Sequence, residues 1–150
     1  MMRRILGIVA SVLVLAGWNG PPAPVTYVAQ MTGAKETPAN TVAGTGTATL
    51  TVNGTKLQYS IVVEGLSGPA TMAHIHVGAM GVAGPPVYTF DIKKVAAGTL
   101  ATGSIDLTKA ASAGVSGDSL VALIKSGNAY VNVHTAAHPS GEIRGQVMKK

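Results

Sequence analysis

The chain has 150 residues, enough for one ordinary domain and short for two. Hydrophobic residues make up 47% and charged residues only 11%; with Gly, Thr and Ala abundant, this suits a turn-rich β-domain and argues against a helical bundle. The formal charge is +5, but the cations are scattered without interleaved aromatics, and nucleic-acid binding is not expected.

The N-terminus reads as a secretory signal peptide over residues 1–20. Arg3 and Arg4 form a basic start, Ile5 to Trp18 is uncharged and apolar, and small residues lead into a Pro-rich stretch. The run is short for a membrane span. Cleavage after Ala16 is the expectation, with an uncleaved N-terminal anchor as the alternative. Trp18 occupies the position where a lipoprotein would carry its acylated cysteine. Loss of Arg3 and Arg4 takes the formal charge from +5 to +3. The expected address is periplasmic or secreted, with no membrane contact after cleavage.

Residues 21–26 read as a linker and 27–150 as the mature domain. The strand-like run "VTYVAQM" starts at Val25. "TGAKETPANT" holds too many breakers for regular structure. Ala48, Leu50 and Val52 then alternate with threonines. After Asn53-Gly54, Leu57, Tyr59, Ile61 and Val63 alternate with Lys56, Gln58 and Ser60. Period two on both sides of Asn-Gly predicts a β-hairpin with Asn53 and Gly54 in the turn.

Further strands are expected at 71–78, in "VYTFDI", in "GTLATGSIDL", in "AYVNVHT" and in "GEIRGQVM". Gly78, Gly81 and Gly84 precede Pro85-Pro86 and shape a loop; no helix follows that would make a dinucleotide fingerprint. In "GDSLVALIKSG" the period switches, with Leu120, Leu123 and Ile124 on one side. Asp118 suits the start of this short helix and Gly127 its exit. About eight strands and one helix imply an antiparallel β-sandwich or flattened barrel.

The chain has no cysteine. A disulfide is therefore absent, and any metal site must use His, Met, carboxylate or backbone ligands. Alternate strand residues share a face. Met72, His74 and His76 then point away from a core face made by Ala73, Ile75 and Val77. Tyr130, Asn132 and His134 likewise oppose Val131 and Val133. Three histidines thus lie on outward-looking faces of two segments distant in sequence.

If those strands are neighbours, three imidazoles can converge. Neutral imidazole suits copper and zinc, and a thioether from Met72 or Met80 favours Cu(I). His138, in the loop after His134, is a candidate fourth ligand or gate. The bland reading is a set of polar residues on a solvated sheet face. Glu142 and Arg144, two apart on the last strand, are expected to pair on its polar face. No Ser sits in a nucleophile elbow, and no carboxylates are spaced as a catalytic pair.

"AHIHVGAMGVAGPPV", "YVNVHTAAHPSGEIRGQV" and "MTGAKETPAN" together resemble the CHRD domain, named after chordin and common in exported bacterial proteins. The resemblance runs from about residue 26 to 148. It implies export and a β-domain more than a named activity; in animal chordin such domains belong to a secreted growth-factor antagonist. The order His74, His76, His134 is also similar to the copper ligands of the copper/zinc superoxide dismutases, which are Greek-key β-sandwiches. The zinc loop and both disulfide cysteines of that family have no counterpart here.

The expectation is thus an all-β, antiparallel Greek-key-type β-sandwich that binds copper, or zinc, without catalysis. The ligands would be His74, His76 and His134, with Met72, Met80 or His138 as auxiliaries. Rival readings are a metal-free module that binds an extracytoplasmic protein and a copper-only dismutase. Oligomeric state is not predicted.

Overall fold

The computed structural model of the protein describes residues 20, 22–109 and 114–150. The expected leader lies outside the described residues except for Gly20. Among the described residues no helix is long and apolar enough to cross a membrane.

The strands are β1 (Val25–Thr32), β2 (Thr45–Asn53), β3 (Lys56–Glu64), β4 (Ala70–Val77), β5 (Pro86–Thr89), β6 (Gly98–Asp106), β7 (Ala129–Thr135), β8 (Ile143–Gln146) and β9 (Met148–Lys149), with helix α1 (Gly117–Lys125) between β6 and β7. The fold is all-β with one short helix, as the patterning implies. β1 already pairs Val25 with Val52 and Thr26 with Thr51, so the strand takes in the last two residues of the expected linker. "TGAKETPANT" is irregular except for a 3-10 turn at Gly33–Lys35.

β2 and β3 form the expected hairpin, and every inward residue of β3 from Leu57 to Val63 is buried. The turn sits one residue later than predicted. Asn53 pairs with Lys56, leaving Gly54 and Thr55 between them. Gly54 takes φ 55°, a conformation that costs glycine nothing and most residues about 1–2 kcal/mol.

All nine strands belong to one sheet, in the order β5-β4-β7-β8-β1-β2-β3-β6, with β9 beside β1. Every pairing is antiparallel. The sheet curls until its two ends meet. Tyr59 of β3 packs edge-on against Phe90, just past β5, at 4.9 Å between ring centroids. The segment after β5 stitches the seam: Phe90 donates to the Ala73 carbonyl, Lys93 to Leu100, and Ala70 to Val95. Sandwich-like layering thus arises from one sheet folded over its own core. Met31, Leu50, Ile61, Ile75, Leu100, Val131 and Ile143 are among its fully buried members.

Helix α1 closes one end. Leu120 and Ile124 are buried and Leu123 packs against the core from a partly exposed position. The cap is Ser116 rather than Asp118: its side chain accepts the Ser119 N–H. Asp118 falls inside the first turn, where its charge still favours the helix N-terminus. Gly127 takes φ 71° at the exit, as expected.

Candidate metal centre

β4 and β7 are neighbours, and their register is what the histidines need. Met72 pairs with His134, His74 with Asn132 and His76 with Tyr130. Paired residues share a face, so all six stand on the side of the sheet away from the core. Ala73 and Ile75 are fully buried on the other side.

On β7 that outer face is not solvated, while on β4 His74 and His76 are half-buried and Met72 is exposed. All seven residues of β7 are buried, including Tyr130, Asn132 and His134. The alternative of a solvated polar face is corrected for β7: neighbouring side chains and irregular segments cover it. Arg144 lies over the Tyr130 ring, 3.5 Å from its centroid. Glu36 accepts from the Asn132 amide at 2.7 Å. The His134 ring reaches the Pro139 carbonyl. The two strands therefore carry a second, polar layer outside the hydrophobic core.

Candidate donor nitrogens of His74, His76 and His134 lie within 4.8 Å of one another. The environment keeps the rings neutral. Burial pushes His74 down to about 4, and His134 and His76 add repulsion against a positive charge. Burial also lowers His76 and His134, although each gains an opposing hydrogen bond from its ring to a backbone carbonyl.

Neutrality fixes where the protons sit. Nδ1 of His76 is 2.8 Å from the Gly84 carbonyl and Nδ1 of His134 is 3.0 Å from the Pro139 carbonyl. A carbonyl only accepts, so both rings donate from Nδ1 and keep a lone pair at Nε2. Nε2 of His134 is 3.1 Å from Nδ1 of His74. Nε2 of His76 is buried without a hydrogen-bond partner. Leaving a buried acceptor unpaired costs about 1–3 kcal/mol; the lone pair of this atom is uncommitted, as are Oδ1 of Asn132 and Oε1 of Gln146 in the same polar layer.

This donor set fits a transition metal. At a metal–nitrogen bond of about 2.0 Å, two imidazole nitrogens at a tetrahedral angle are about 3.3 Å apart. The His74–His134 separation of 3.1 Å is close to that. The widest donor separation, up to 4.8 Å, must shrink by about 1.5 Å to reach the same tetrahedral spacing. Ligand histidines typically anchor their second nitrogen to a carbonyl or carboxylate, as His76 and His134 both do.

The auxiliary candidates divide. Met72 is 45% exposed and pairs across the strands with His134, beside the cluster. Met80 is 75% exposed on the 78–84 loop. It lines a groove of about 270 Å³ with Val28, Lys35, Arg144 and Met148. His138 acts electrostatically on Glu36 and Glu142, and the converging set does not include it.

Glu142 and Arg144 do not pair. Glu142 is fully buried and accepts from the Ser67 backbone and from the hydroxyls of Ser67 and Thr135. Arg144 donates to the Thr37 hydroxyl and to the carbonyls of Ala79 and Val82. Each pins a different loop, because the roof brings separate partners to each. Among the described residues the ion pair is Lys109 with Asp106, on the exposed surface.

The groups around the cluster that sequence reasoning missed are the carbonyls of Gly84 and Pro139 and the hydroxyl of Tyr130. Backbone acceptors leave no residue-type signal. Pro139 and Gly84 do stand in the two motif segments, and that was their available trace.

The CHRD domain matches residues 27–147. The chain belongs to the CHRD-domain family. The matched span takes in all three histidines and both loops that roof them. No curated protein matches the chain, and no solved structure matches it.

Proposed function

We propose that this CHRD-domain protein binds a transition-metal ion, copper before zinc, outside the cytoplasm, through His74, His76 and His134. The observation that carries the reading is the pair of anchored rings. His76 and His134 each spend Nδ1 on a carbonyl; Nε2 of His134 then meets Nδ1 of His74, and Nε2 of His76 is buried with no hydrogen-bond partner. His74 completes the set by moving its proton to Nε2, which frees Nδ1 to coordinate. Three neutral imidazoles suit Cu(II) or Zn(II), and the Met72 thioether at the rim adds a soft donor that favours Cu(I). Binding without catalysis, as in buffering or handing on copper, needs no further group.

Direct metal analysis tests this. Protein purified with its export signal intact should carry close to one copper or zinc per chain, or take up one when dialysed against micromolar metal and then washed. Binding no stronger than that of a histidine-free β-domain would reject it.

A second reading, a metal-free interaction module, is favoured by one observation. The His74–His134 hydrogen bond pairs Nδ1 of His74 with Nε2 of His134 without an ion. It does not account for the orphaned Nε2 of His76.

A further inference from the structure

The 78–84 loop is held at every turn. Gln146 donates to the Gly78 carbonyl, and Arg144 to those of Ala79 and Val82. Tyr130 meets Gly84 twice, accepting from its N–H at 3.1 Å and donating to its carbonyl at 3.2 Å. The same Gly84 carbonyl takes the Nδ1 proton of His76 at 2.8 Å. Gly84 also runs against the strand so closely that a Cβ there would stand 1.8 Å from the Val77 carbonyl oxygen. Tyr130 stacks on His76 with ring centroids 4.8 Å apart and planes 12° apart, and Arg144 covers its other side.

We infer that Tyr130 is a positioning residue for the histidine site: its hydroxyl holds the Gly84 carbonyl where it fixes His76 as the Nδ1–H tautomer, with the Nε2 lone pair directed at the ion. The inference deepens the metal-binding reading and depends on it for its consequence, but the tautomer itself is a property of the metal-free protein. Two contacts converge on one carbonyl. The hydroxyl orients the loop; the ring stack sets the imidazole plane. Neither group is among the three imidazoles that would hold the ion. Partners of this outer kind typically change metal affinity by about 10–100-fold.

Tyr130→Phe removes the hydroxyl and keeps both ring stacks. Two readouts apply to it. In metal-free protein near pH 7.5, nitrogen-15 NMR of the His76 ring should show Nδ1–H in wild type and a mixture of tautomers in Tyr130→Phe. Titration with copper(II) alone and zinc(II) alone should show at least a tenfold loss of affinity, and the copper(II) EPR spectrum should shift. An unchanged tautomer overturns the inference, and so does unchanged affinity in a wild type that binds. If wild type takes up neither ion, the metal reading fails, and the tautomer alone decides whether Tyr130 sets the ring. A general loss of folding would also broaden the rest of the NMR spectrum, which the inference does not predict.

Discussion

Nδ1 of His74 and Nε2 of His134 are 3.1 Å apart, although the residues are 60 positions apart in the chain. The β4–β7 register produces this contact. A slip of one residue would send His134 into the hydrophobic core and Val133 onto the polar face. The histidine pairing and the core packing therefore enforce each other.

With that shared register set, the two faces should act separately, and Ile75 tests this from the core side. It is fully buried between His74 and His76 and faces away from both. Ile75→Ala should destabilise the protein by about 2–5 kcal/mol, measured by urea unfolding. At temperatures where the variant remains folded, its metal affinity should match wild type. A large affinity loss in the folded variant would mean that the two faces are not independent.

Acid should weaken the fold through the histidines. His74 titrates at about 4 when folded, below its ordinary value of 6.5, mainly because of burial. Between those values the unfolded chain binds the extra proton, so stability falls as pH drops from about 6.5 toward 4. Above about 6.5 this group contributes no pH dependence. His76 and His134 shift in the same direction. Unfolding free energies at pH 7.5, 6 and 5 should decline in the metal-free protein, and His74→Gln should flatten the decline. Equal slopes in the two proteins would contradict the assignment.

The two methionines should separate. Met72 sits opposite His134, whereas Met80 lines a groove with β1 and β9 residues. Met72→Ala should weaken Cu(I) binding by about tenfold and leave Zn(II) nearly unchanged, because a thioether prefers the softer ion. Met80→Ala should alter neither. Competition with a Cu(I) chelator measures both, and an effect of Met80 equal to that of Met72 would reject the division.

Much of this was legible in the residues. Alternation marked the strands and put Ile75, Val131 and Val133 inward, and the histidine order pointed to one shared face. The hairpin was legible but its turn was not placed: Asn53 is as competent in a turn as Gly54, and only the pairing with Lys56 decides. Asp118 and Ser116 are both good caps, and the helix start chose Ser116. The roof over β7 was illegible. Strand periodicity reports which side faces the core but not whether loops distant in sequence cover the other side. That is why Tyr130, Asn132 and Arg144 read as surface residues and turned out buried. The same gap hid the separate partners of Glu142 and Arg144.

The most direct measurement is the affinity of purified protein for copper and zinc, compared with a His74→Ala/His76→Ala variant that stays folded. Isothermal titration under competing chelator should give one site per wild-type chain and a loss of at least a hundredfold in the variant. Equal, weak binding by both proteins would contradict the assignment of His74, His76 and His134 as a metal centre.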